Sequence, residues 1–271
     1  MSPSDPRIKA ALILLLLLSV ALIWVLWDLN HRPTPEAHIS DNLDYGVPGQ
    51  SDLLIEREGY ALGYNRLWKQ AAWVSYRLTA TEVLSNACKR TNPFAKDPNI
   101  ESDYSLPQDY AASGYDRGHL APAADMRWSH QALIESFFMS NLSPQKPAFN
   151  RGIWSALEQF VRDTAVAETN VVIVTGPVVS SNDLSHTIGK RKVVVPSAYF
   201  KVIYDETPPV KMIAFLLPNE GSPLAISNFV VTVDSVEEVT GLDFFSALPD
   251  KIEDALEASI SIQDWKGLNR H

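Results

Sequence analysis

Between Tyr115 and Glu158 the chain reads YDRGHLAPAADMRWSHQALIESFFMSNLSPQKPAFNRGIWSALE, a span whose histidine, arginines, asparagines and glutamate could together cut a phosphodiester bond. Such hydrolysis requires an activated water, donors that take up charge on the phosphate, and help for the departing alkoxide. His119 follows Asp116-Arg117-Gly118, and an imidazole that titrates near neutrality can accept the proton of an attacking water. Gly118 beside it is expected to let backbone and substrate approach closely. Asn150 ends a proline-containing loop and opens a helix, which would aim its amide oxygen at a hard cation such as Mg²⁺. Trp154 and Glu158 follow at four-residue steps, so Glu158 is expected within roughly 80° of the same helical face, where it would hold the cation's waters. Arg117 and Arg90 offer the forked cationic donors that suit phosphate oxygens.

Each of these residues alone has an ordinary reading. A loop histidine is usually a surface or satisfied core residue, Asn150 reads as a helix N-cap, Glu158 as a solvated carboxylate, and Asp116 with Arg117 as a local ion pair. Their joint occurrence turns the reading toward a metal-assisted phosphodiesterase. Zinc is a poor rival, because His31, His38, His130, His186 and His271 form no i, i+3 or i, i+4 pair with His119, and the single cysteine rules out a thiolate cluster. That residue, Cys88, reads as a buried small hydrophobe near a helix end.

A chain of 271 residues with 46% hydrophobic and 20% charged content can bury one main core of roughly 200 to 250 residues. The formal net charge of -9 argues against a protein that coats DNA through a broad basic surface, and leaves room for an enzyme with a small basic cleft. After a short segment, residues 1–9, the run from Ala10 to Trp27 is apolar except for Ser19. As a helix its 18 residues would span about 27 Å, near one bilayer core, and Arg7 and Lys9 precede it, so an uncleaved single-pass anchor with the N-terminus inside is expected. Residues 28–52 then read as a proline-rich, acidic linker, with the globular domain over 53–271.

Within that domain, Glu58 to Leu62, Leu67 to Tyr76, Val171 to Thr175 (ended by Gly176 and Pro177), Val193 to Val195, Ala198 to Tyr204 and Lys211 to Leu217 are the expected strands. Helices are expected over Ala132 to Phe138, over Gly152 to Asp163 with Trp154, Leu157 and Val161 as a core stripe, over Val233 to Thr240 and over Lys251 to Ile260. These elements describe a mixed α+β domain with a largely antiparallel sheet.

The segments GYDRGHLAPAADM, SNLSPQ and FNRGIWSALE closely resemble the DNA/RNA non-specific endonuclease family, whose hallmark is D-R-G-H in a ββα-metal finger. Arg90 and Phe94 in RTNPFAKD match the family's R-x-x-x-F, and VVIVTGPVV, KVVVPSAYFKVIYD and VEEVTGLDFF look like the rest of the domain, so the likeness runs from about Leu53 to Trp265. The resemblance implies His119 as general base, Asn150 as the one direct protein ligand of a Mg²⁺ (Mn²⁺ also suits), and Glu158 acting on that ion through water. It further implies Arg90 and Arg117 on the phosphate, Asn141 as a hydrogen-bonding support, products with 5′-phosphate ends, DNA and RNA as substrates, and a homodimer. Such an enzyme threatens its own genome, so an anchored nuclease domain is expected outside the cytoplasm: on the periplasmic or outer face in a bacterium, the favoured reading, or in the mitochondrial intermembrane space in a eukaryote. A second class of function, a membrane-anchored nucleic-acid receptor of the same fold without turnover, predicts the loss of His119, Asn150 or Glu158, and all three are present.

Overall fold

The computed structural model describes residues 41–85, 87–91 and 93–268. The expected anchor Ala10–Trp27 lies outside them; among the described residues no helix is long and apolar enough to cross a membrane.

Apolar and aromatic runs form the strands β1 (Leu53–Glu56), β2 (Ala61–Asn65) and β3 (Gln70–Thr79). The helix α1 (Ala80–Leu84) follows, started by a reciprocal cap between Thr79 and Glu82. The middle of the chain supplies β4 (Asp116–His119), α2 (His130–Glu135), β5 (Leu142–Gln145) and the long helix α3 (Trp154–Glu168). Next come β6 (Asn170–Val178), β7 (Thr187–Ile188), β8 (Val193–Val194), β9 (Ala198–Asp205), β10 (Lys211–Pro218) and β11 (Val230–Val231). The helices α4 (Val233–Thr240) and α5 (Asp250–Glu257) complete the set.

Seven strands make one antiparallel sheet in the order β1-β2-β3-β6-β9-β10-β11, as the α+β expectation requires. Both faces are covered. On one, Trp154, Leu157, Phe160 and Val161 of α3 pack on Tyr76, Ile173, Tyr199 and Phe215. On the other, Val233 and Val236 of α4, with Phe244 and Phe245, pack on Trp73, Val174, Val202 and Met212. Because helices lie on both faces, β9 is buried from Tyr199 to Asp205 instead of alternating between core and solvent.

Several boundaries differ from the sequence expectation, each for a local reason. Glu58 and Gly59 form the β1–β2 turn, closed by Arg57 N–H donating to Tyr60 C=O. The next turn takes residues 66–69, with Asn65 Oδ1 accepting from Trp68 N–H. Strand β6 runs through Gly176 and Pro177 because by then it pairs only with β9; its ladder to β3 ends at Thr175, and Gly176 leaves room for the Ala72 carbonyl. Helix α2 starts at the Ser129 cap and stops at Glu135, short of Phe138. Residues 41–52, expected as linker, are packed into the domain: Asn42 is buried, with its Oδ1 accepting from Arg77 N–H and its carbonyl from Ser75 Oγ–H. Cys88 is half-buried, beside the small cluster of Ala123, Leu133 and Phe137.

Candidate active site

Strands β4 and β5 are antiparallel, pairing Asp116 with Gln145, Gly118 with Ser143 and His119 with Leu142. With the following α3 they make a ββα finger. Its seat on the main sheet is polar: Tyr199 O–H donates to Pro144 C=O at 2.9 Å, and Asn219 Nδ2 donates to Pro144 and Pro196 carbonyls at 3.0 Å each. Asn141, fully buried, clips the loop after His119, since its Oδ1 accepts from Ala121 N–H and its Nδ2 donates to Ala121 and Ser136 carbonyls, each at 2.9 Å. Three such bonds from one side chain fix the direction in which the chain leaves His119.

Between β5 and α3 the backbone makes a single π turn over Phe149–Ile153, and Gly152 there leaves helical geometry with φ −106° and ψ −113°. Asn150 sits in this turn. Its Nδ2 donates to Asp116 Oδ2 at 3.0 Å, and Arg151 grips the same carboxylate through Nε at 2.8 Å and Nη2 at 2.7 Å. Burial alone would raise the Asp116 pKa, but the hydrogen bonds from Arg151 and Asn150 and the nearby arginine charges hold it below the usual carboxylate range. With its nitrogen tied to Asp116, Asn150 keeps Oδ1 free of hydrogen bonds among the described residues. An amide oxygen oriented in this way suits a hard divalent cation.

Asn150, His119, Glu158, Arg90, Arg117 and Phe94 line one cleft of about 370 Å³. The His119 ring stands edge-on to Phe137 at 5.1 Å and lies 6.1 Å from Phe94; its Nε2 is buried with no hydrogen-bond partner. Burial and the Arg90 charge push its pKa down to about 3, which keeps the imidazole neutral, in its proton-accepting form. Arg117 stacks over Phe94 at 4.3 Å and Arg90 over Phe137 at 5.7 Å, so the aromatic rings that wall the imidazole also carry the two guanidinium groups.

Behind Glu158 lies a charged network. Burial and the Asp125 carboxylate push the Glu158 pKa up, while Lys201, Arg162 and Arg90 pull it back. Asp125, fully buried, accepts from Arg162 Nη1 at 2.9 Å and from Tyr76 O–H at 3.1 Å. Lys201 on β9 is also fully buried, its Nζ 4.8 Å from the centre of the Trp154 ring and without a hydrogen bond; burial pushes its pKa down, and Glu158 and Asp125 oppose that.

The sequence-derived site residues His119, Asn150, Glu158, Arg90 and Arg117 thus share one cleft, and Asn141 stands behind it. Three expectations need correction. Asn150 is neither a helix N-cap nor the first helical residue; α3 begins at Trp154, and the kink at Gly152 breaks the angular phase used to place Glu158. Asp116 pairs with Arg151 and Asn150 rather than forming a local pair with Arg117. Gly118 leaves room not for substrate but for Gln145, whose carboxamide fills the place a Cβ would take. Sequence reading missed Asp125, Arg162 and Lys201; the one available signal was Arg162, a helical turn beyond Glu158.

The DNA/RNA non-specific endonuclease profile matches residues 38–251. The chain is 32% identical over 213 residues to mitochondrial endonuclease G of Homo sapiens, covering 74% of this chain and 71% of that protein. It is 33% identical over 241 residues to the mitochondrial nuclease of Saccharomyces cerevisiae, covering 81% and 73%. Nuclease C1 of Cunninghamella echinulata is 34% identical over 221 residues, covering 76% and 88%. The crystal structure of the EndoG/EndoGI complex contains a similar fold, with a TM-score of 0.73 and 34% identity over 78% of this chain and 92% of that one. The chain belongs to the DNA/RNA non-specific endonuclease family and is a nuclease.

Proposed function

We propose that the cleft cuts DNA and RNA by general-base hydrolysis, with His119 as the base. The observation that carries this reading is the convergence on one cleft of a neutral imidazole, an oriented Asn150 amide oxygen and two guanidinium groups. His119, through Nδ1 and not the buried Nε2, takes a proton from water as the water oxygen adds to phosphorus; the bond from phosphorus to the 3′ oxygen breaks and that oxygen takes a proton from a second water, leaving 5′-phosphate and 3′-hydroxyl ends. Arg90 and Arg117 neutralise phosphate charge, and the approaching phosphate raises the basicity of His119 as it binds. Asn150 Oδ1 would hold Mg²⁺ or Mn²⁺ directly and Glu158 would act on it through water; the ion would supply charge neutralisation at the phosphate and the leaving oxygen. Contacts of this kind read the phosphate backbone and not the bases, so sequence preference is weak.

Localisation belongs to the same proposal. Endonuclease G of Homo sapiens and the yeast relative are mitochondrial by name, and the apolar run Ala10–Trp27 suits a single-pass anchor that keeps the nuclease apart from chromosomal DNA. The test is digestion of plasmid DNA and a structured RNA by the full chain, with Mg²⁺ and with EDTA, beside His119→Ala. Cleavage of both substrates only with metal, lost in the variant, with ends that DNA ligase rejoins directly, is expected. Nucleic-acid binding without cleavage under any divalent metal would instead indicate the receptor.

A further inference from the structure

On the face of the sheet opposite α3, helices α4 and α5 bring Asp234, Glu237 and Glu257 together. One carboxylate oxygen from each lies within 4.8 Å of the other two. Asp234 and Glu237 are three residues apart, hence on one side of α4, and α5 delivers Glu257 from across the groove, with Glu253 one turn before it. Among the described residues no lysine or arginine forms an ion pair with any of these carboxylates.

A run of surface acids would carry nothing, but Glu257 is not at the surface. It is only 6% exposed, and its Oε1 is buried without a hydrogen-bond partner, as is Oε1 of Glu253. Glu237 Oε1 is already fixed, accepting from Phe244 N–H at 2.8 Å. A carboxylate oxygen withdrawn from water and facing other carboxylates is relieved by taking up a proton or a cation. The outer member, Asp234, is exposed and leaves a way in for an ion.

We propose that Asp234, Glu237 and Glu257 form a Ca²⁺ site that ties α4 to α5. Oxygens about 2.3 to 2.6 Å from one Ca²⁺ can lie up to about 5 Å apart, so three oxygens within 4.8 Å of one another can share a single ion. An all-carboxylate set also suits Ca²⁺, which gives up its water more readily than Mg²⁺. The site stands apart from the catalytic cleft and does not depend on the proposed chemistry there.

The test is thermal unfolding of the full chain carrying Asn150→Ala, which removes the cleft's direct ligand, in Ca²⁺, in Mg²⁺ and in EDTA. Saturating Ca²⁺ is expected to raise the midpoint by about 5 °C or more, with a smaller rise in Mg²⁺. Adding Glu257→Gln, or separately Asp234→Asn, is expected to abolish the Ca²⁺ response; Asp234 is exposed, so its variant carries the test where the Glu257 variant fails to fold. No Ca²⁺ response in the Asn150→Ala chain, or a response that the acid-site variants keep, would overturn the proposal.

Discussion

The cleft around His119 and the α4–α5 groove both bury carboxylates, and they neutralise them differently. In and behind the cleft each carboxylate has a cation of the chain itself: Asp116 has Arg151, Asp125 has Arg162, and Glu158 feels Lys201, Arg162 and Arg90. In the groove, Glu257 faces Glu237 and Glu253, and burial with their charge pushes its pKa up to about 8. An internally balanced network can remain charged while its surroundings shed water, so it sets the geometry of a reaction before substrate arrives. An unbalanced cluster is left to take up a proton or an ion from solution.

The largest effect expected from breaking this balance is at His119, the proposed base. His119→Ala should lower turnover by about 10² to 10⁴-fold in a plasmid-nicking assay, while circular dichroism stays that of the native fold. Next is Lys201→Met, which strips Asp125 and Glu158 of a buried counter-charge. It should cost about 2 to 4 kcal/mol in urea unfolding and depress activity at neutral pH, with partial recovery at higher pH, because Glu158 without Lys201 holds its proton more tightly. Gly118→Ala forces a methyl into the place of the Gln145 carboxamide and should cost about 1 to 3 kcal/mol by the same measurement.

Subtler is Arg90→Gln. After burial, Arg90 is what keeps His119 low, and it also pulls Glu158 down. Removing its charge raises both, so the acid limb of kcat/KM should move to higher pH; an unmoved limb would show that Arg90 acts on the phosphate alone. The smallest effect belongs to the groove, where Glu257→Gln in EDTA at pH 8 should stabilise the chain by up to about 1 kcal/mol by relieving like-charge repulsion.

What the sequence made legible was local. Asp116 to His119 are consecutive, and Asn141, Asn150 and Glu158 follow within one stretch, so the cleft's front wall could be read from a single segment. Its rear wall could not. Lys201 sits in AYFKVIYD, where an alternating strand would turn a lysine to solvent; helices on both faces of the sheet bury it instead, and tertiary layering of that kind leaves no mark on a single strand. Strands β9 and β10 were recognisable as short apolar runs and helix α4 by its apolar periodicity. Helix α1 is too short for periodicity, and only its Thr79-to-Glu82 cap announces it. The π turn that presents Asn150 has Gly152 as its one trace, and a glycine is equally common in ordinary loops. The acidic groove escaped notice because its members come from two helices joined through a turn, and each alone reads as a solvated charge.

The central claim is that the cleft holds His119 as a neutral base beside phosphate-binding cations. A pH titration of the full chain by nitrogen-15 NMR of its histidine side chains, with the His119 signals assigned by their loss in His119→Ala, measures this directly. The imidazole is expected to stay neutral from pH 8 down to pH 5 in the absence of nucleic acid; a protonation midpoint at or above the ordinary value of about 6.5 would contradict the claim.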